Sequence, residues 1–198
     1  MDKPTDLPNA RNITISGRIA SGTTTLATGL AKKLGWELLE GGELFLKFHE
    51  GLNLSEVHSH KRPDNFDLEY EEKVKDMLRQ GRNQIIQSHL AGFDAQGIEG
   101  TFKVLVVCED EEGRDMQDIR IDRLVNRKQI HVDEAKEEVR TREKNNLDKW
   151  RRLYANGNPN WVYWDKKYYD LIVNTFSHNA DETLQKVLNS LGVKEKVS

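Results

Sequence analysis

The feature that most constrains this chain is the run Gly17-Arg18-Ile19-Ala20-Ser21-Gly22-Thr23-Thr24-Thr25. Before it stands Asn12-Ile13-Thr14-Ile15-Ser16, short and β-branched, which reads as a buried strand ended by Gly17. After it, Leu26, Leu30, Ala31 and Leu34 recur at helical spacing, and Gly35 sits where a helix stops. A strand, a glycine-rich turn and a helix form the setting that a phosphate-binding loop requires. The glycines let the backbone curl until its N–H groups converge on phosphate oxygens, and a side chain at Gly17 or Gly22 would block that approach. The helix N-terminus behind the loop adds a positive dipole end. The nine residues from Gly17 to Thr25 are therefore the candidate phosphate site. Thr24 takes the Ser/Thr place, whose hydroxyl ligates Mg²⁺. Thr23 stands where the pattern G-x-x-x-x-G-K-[ST] has lysine, so the loop offers dipoles and hydroxyls but no cation of its own. A turn that merely caps a helix uses the same residue types, and it is the strand-loop-helix context that favours phosphate.

The rest of the chain continues the alternation. Trp36 to Leu39, Asn83 to Gln87, Phe102 to Cys108 and Asp170 to Val173 read as strands, the third of these nearly continuous and aliphatic as in a parallel strand covered on both faces. Between them, 42–80 and 113–154 read as helical and strongly charged, and Asp181 to Leu191 as a last helix. Alternating strands and helices predict a doubly wound α/β sheet. The proline-bearing first ten residues and the stretch after Gly192 read as tails.

With 198 residues the chain suits a single domain. Its net charge of −3 argues against a general nucleic-acid coat. One cysteine, Cys108, excludes an intramolecular disulfide framework and a cysteine-rich zinc site. No apolar run approaches the ~20 residues that span a bilayer, and the polar start lacks a signal-peptide core, so the expectation is a cytoplasmic protein. The near-neutral total conceals a division. Residues 114–152 carry twelve basic against nine acidic residues, a surplus of three in a chain with a net deficit of three. This suits a helical lid that closes over a polyphosphate and supplies the cation that Thr23 does not. Arg120, Arg123 and Arg127 recur at helical spacing and are expected on one face. Trp161, Tyr163, Trp164, Tyr168 and Tyr169 are expected to pack against the sheet edge, and His49, His58 and His60 lack the second ligand cluster a metal site needs.

The loop, with Gly42-Glu43-Leu44-Phe45, Leu90-Ala91-Gly92, the three arginines, Arg142-Glu143 with Tyr154, and Tyr169-Asp170-Leu171-Ile172-Val173-Asn174-Thr175, resembles the cytidylate kinase family of P-loop nucleoside-monophosphate kinases, over Ile13 to about Leu191. Archaeal-type members carry a Gly-Thr-Thr-Thr loop like Gly22 to Thr25. The resemblance implies a P-loop NTPase-type three-layer αβα fold around a mostly parallel five-stranded sheet. Its core would cover 12–40, 81–127 and 151–192, a nucleoside-monophosphate-binding insertion about 41–80, and a lid about 128–150. It implies transfer of the γ-phosphoryl group of ATP to CMP or dCMP with Mg²⁺, by a monomer with nucleotide substrates and neither nucleic-acid nor membrane partners. Thr23, Arg123, Arg127 and Arg142 would serve the transfer, and Gly42, Asp67, His89, Arg142, Asn146 and Lys149 the acceptor. The sequence departs from the family at Leu46, Gln87, Ser88, His89, Asn146 and Lys149, where the family pattern has Arg, an acid, Gly, Arg, an acid and Arg. Two alternatives therefore stand beside the kinase: a module that binds ATP without acceptor turnover, and a P-loop kinase of another small acceptor.

Overall fold

The computed structural model describes residues 4–48 and 62–193. Five strands, β1 (Asn12–Gly17), β2 (Glu37–Glu40), β3 (Gln84–Gln87), β4 (Thr101–Val107) and β5 (Leu171–Asn174), form one sheet in the order β2-β3-β1-β4-β5. Every pairing is parallel. The helices are α1 (Thr23–Leu34), α2 (Gly41–Phe48), α3 (Asp64–Gln80), α4 (Ala91–Asp94), α5 (Gln117–Lys128), α6 (Val132–Tyr154) and α7 (Ala180–Ser190). The chain winds to one side of β1 for β2 and β3 and to the other for β4 and β5. The carboxyl end of β1 is thus the switch point where open α/β sheets place their ligands.

Alternation along the strands sorts the core into two layers. Ile13, Ile15, Ile85, Val104, Val106 and Val173 point to the face covered by α1 and α7, where Leu26, Ala27, Leu30, Leu34, Val187 and Leu188 are buried. On the other face, Ile86 packs with Tyr70, Val74 and Leu78 of α3, and Leu105 and Val107 pack with Tyr169. The expected three-layer P-loop NTPase-type fold is therefore present, with an all-parallel sheet. The aromatic run, expected against the sheet edge, packs largely elsewhere: Trp161, Tyr163, Trp164 and Tyr168 gather with Leu90, Phe93 and Trp150, and Trp164, Tyr168 and Tyr169 also meet Leu105, Val107 and Ile172 of the sheet.

The charged stretch 113–154 is not one helix. It breaks at Gln129, whose φ of 55° ends α5 in a left-handed cap. Helix α6 begins inside the expected lid range and continues past its end to Tyr154. Helices α2 and α3 fall within the expected insertion. The three histidines His49, His58 and His60 lie outside the described residues. Among the described residues no helix is long and apolar enough to cross a membrane.

One polar contact on the α3 face is chemically unusual. Glu71 of α3 and Asp94 of α4, 7 % and 4 % exposed, form a hydrogen-bonded carboxyl pair. Burial, then the neighbouring Asp94 charge, pushes the Glu71 carboxyl well above the usual carboxylate range, and burial lifts Asp94 to about 6. The native state thus holds protons here that the unfolded chain releases. The contribution of the pair is fully present below the ordinary carboxylate range and is lost as pH rises through about 6. Asp94→Asn removes one of the two acids. The variant is expected to melt higher than the wild type at about pH 8 and not at about pH 4, by roughly 2–4 °C for each kcal/mol relieved. Thermal denaturation across that range checks it.

Candidate active site

The loop between β1 and α1 is held by its carbonyls. Ser21 N–H donates to Arg18 O at 3.1 Å, Arg120 Nη1 to Ile19 O at 2.7 Å, and Thr175 Oγ1 to Ser21 O at 2.7 Å. His89 Nδ1 lies 2.9 Å from Gly17 O, and a carbonyl only accepts, so the histidine carries its hydrogen on Nδ1. With these oxygens bound outward, the following amides are turned the other way. Thr23, Thr24 and Thr25 open α1, where backbone N–H groups have no intrahelical partner. Gly17 is required by contact: a Cβ there would sit 2.5 Å from Ser21 Oγ and 2.6 Å from Val106 O. Gly22 caps α1 at φ 108°, and Ala20 is left-handed at φ 59°.

A cleft of about 430 Å³ opens on this loop. Ala20, Gly22, Thr23, Thr24 and Thr25 line one side, Arg123 and Arg127 of α5 another, and Thr175, His178, Asn179, Ala180 and Thr183 a third. Arg123 donates from Nη1 to Thr175 Oγ1 and from Nη2 to Thr175 O, both at 2.8 Å. His178 and Asn179 were not read from the sequence, and Thr175 stood there only as the last residue of the run from Tyr169, with no role. Their signal was position alone, just past the carboxyl end of β5.

Other expected site residues lie elsewhere. Arg120 stands on the same face of α5 as Arg123 and Arg127, but its side chain does not line the cleft. It is fully buried and bonded to Asp115 and Glu143. Arg18 turns into the same network, 2.6 Å from Glu143 and 2.9 Å from Asp115, with its guanidinium over Trp164. Ile19 is in an apolar cluster with Ile121, Leu124, Ala135 and Val139, and Ser21 is buried. Arg142 lies 3.5 Å from Glu138 on its own helix. Gly42 is in the first turn of α2 with open space beside it.

Of the residues expected at the acceptor, Asp67 and Lys149 meet each other. They form a buried ion pair between α3 and α6, and Lys149 Nζ also donates to Arg62 O at 2.7 Å. Arg62 donates to Asp67 as well, at 2.7 Å. Asn146 is buried one turn away on α6. Gln87 reaches into the loop, its Nε2 donating to Thr23 Oγ1 at 3.2 Å. Among the described residues no group of three or more His, Cys, Asp or Glu could hold a metal ion.

Residues 12–177 match the model of the cytidylate kinase-like family. The chain belongs to that family. The proteins most like it include a cytidylate kinase from Archaeoglobus fulgidus, 27 % identical over 92 % of this chain and 96 % of the relative. Another, from Methanopyrus kandleri, is 31 % identical over 86 % of this chain and 88 % of the relative. Among solved structures, shikimate kinase from Acinetobacter baumannii superimposes with a TM-score of 0.56 over 96 % of each chain at 14 % identity, a likeness of fold. In this member of the cytidylate kinase-like family, the loop geometry makes one substitution diagnostic. Gly17→Ala forces a methyl against the carbonyl of a central strand. It should cost about 1–3 kcal/mol in urea denaturation, the range for overpacking.

Proposed function

We propose that the protein transfers the γ-phosphoryl group of ATP to CMP or dCMP. The observation that carries this is the cleft itself, which joins the amides of a phosphate loop to two arginines across about 430 Å³. The loop amides from Gly22 to Thr24 hold the β-phosphate, and the α1 dipole adds to their pull. Arg127 faces the donor nucleotide directly. Arg123 is presented by Thr175 at a fixed angle, so little reorganisation is needed when charge develops. Arg142, on α6, adds a cation from the lid.

The residues present fit Mg²⁺ as a partner of the nucleotide. Thr24 lines the cleft at the start of α1, where its hydroxyl can reach a metal held by phosphates. Bound there, the ion would neutralise phosphate charge. Gln87 fills the place of an acid and holds Thr23, so Thr24 carries the protein's share of the coordination.

On the acceptor side, the insertion formed by α2 and α3 receives the monophosphate, with Gly42, Asp67, His89, Asn146 and Lys149 around it. One observation favours the second reading, a module that binds ATP without transfer. Lys149 is neutralised by Asp67, and His89 is committed to Gly17 O. An acceptor phosphate must therefore compete with a carboxylate for its cation.

A coupled assay of ADP release, run with Mg·ATP over a panel of small acceptors, decides between these. The expected outcome is acceptor-dependent turnover with CMP or dCMP, with a raised KM for ATP in Arg127→Ala. Calorimetric binding of Mg·ATP with no turnover on either acceptor supports the module. Turnover on a different acceptor points to the third reading.

A further inference from the structure

We infer that Glu143 is a positioning residue for the phosphate loop: with Arg120 it grips the Ile19 peptide at both ends and so fixes the left-handed turn at Ala20 that aims the following amides into the cleft. The inference rests on the reading of that cleft as the ATP site. Ile19 N–H donates to Glu143 Oε1 at 3.3 Å, while Ile19 O accepts from Arg120 Nη1 at 2.7 Å. The same Arg120 nitrogen also donates to Glu143 Oε1 at 2.7 Å, so carboxylate, guanidinium and peptide close a ring. Arg18, the residue before Ile19, adds a bond from Nη2 to Glu143 Oε2 at 2.6 Å. The loop is thus tied to α6 by a side chain and a main-chain amide of adjacent residues.

A carboxylate is the group this position needs. It must accept from three donors at once, two of them charged, and an amide offers a single acceptor oxygen. Arg120 is 0 % exposed, and a buried cation must have its charge matched nearby; Glu143 and Asp115 match it. Burial pushes the Glu143 carboxyl up, but Arg120 and Arg18 outweigh it and hold it below the ordinary range, so the group is charged at neutral pH.

The turn at Ala20 is where the clamp acts. A residue with a β-carbon resists the left-handed region, where glycine moves freely. Ala20 follows the clamped Ile19 and precedes Ser21, whose carbonyl is held by Thr175. The loop is therefore fixed on both sides of its strained residue, as strain that persists requires. Without Glu143 the alanine relaxes toward ordinary backbone, and the cost of returning it on binding corresponds to roughly tenfold in affinity.

The test compares wild type, Glu143→Gln and Glu143→Gln with Ala20→Gly. In the nucleotide-free protein, hydrogen exchange of the segment 17–25 should quicken in Glu143→Gln while the sheet amides stay protected. The Mg·ATP dissociation constant should rise about tenfold. Adding Ala20→Gly should recover most of that loss, because glycine enters the turn without help. A folded Glu143→Gln with wild-type loop exchange overturns the proposal, as does a lost affinity that Ala20→Gly leaves unimproved. If Glu143→Gln does not fold, Glu143→Asp keeps the charge but withdraws it by one methylene from Ile19 N–H, and unchanged loop exchange there overturns the proposal equally. A wild-type protein that binds no Mg·ATP defeats the reading of the site, while the exchange data still decide the clamp.

Discussion

Backbone amides can converge on an anion only if the carbonyls of the same peptides are turned away and bound to something else. That single requirement organises this molecule. Gly17, Arg18, Ile19 and Ser21 each give up a carbonyl to a partner, and those partners come from after β3, from the loop itself, from α5 and from the end of β5. The fold around the switch point can be seen as the set of elements that deliver these donors. The glycines serve the same end, since Gly17 leaves room for Ser21 beneath the loop and Gly22 turns into α1 at φ 108°.

Charge is divided unequally around the loop. In the cleft Arg123 is oriented by neutral oxygens of Thr175, which leaves its positive charge unspent. Behind the loop, Arg18 and Arg120 are neutralised by Glu143 and Asp115, which ties them into the structure there. Between α3 and α6 Lys149 is paired with Asp67 within a buried contact. Buried pairs of this kind gain little net stability over apolar replacements. Their effect is to hold α3 against α6 in one arrangement.

Much of this was legible in the sequence, for physical reasons. The loop announces itself because a tight turn between strand and helix restricts residue type at fixed spacing, and β4 does so because a parallel strand covered on both faces is nearly continuous in apolar residues. The resemblance carried the family and the fold. What the sequence did not disclose depends on partners far apart along the chain. Spacing put Arg120, Arg123 and Arg127 on one face, but it could not say that Glu143 and Asp115 would bury the first and Thr175 would hold the second. Asp67 and Lys149 read as separate ligands, and only the approach of α3 to α6 makes them a pair. The break between α5 and α6 was missed because Gln129 adopts a left-handed cap that favours glycine or asparagine. Glu143 stood out only as half of the Arg142-Glu143 pair, and nothing in its spacing tied it to the loop.

The sheet order has a consequence for how the molecule is made. Asn12 pairs with Gln84 on one side and with Thr101 on the other, so the central strand waits for partners from the middle of the chain. Parallel pairing over such separations makes folding slow, because the long loops must close before any contact rewards them. On a ribosome, β1 emerges before either of its partners; β3 can close one of its edges, and the other stays open until β4 has been synthesised. The segment that most defines the chain is therefore among the last to gain its shape, since its braces on α5, on α6 and beyond β5 arrive later still.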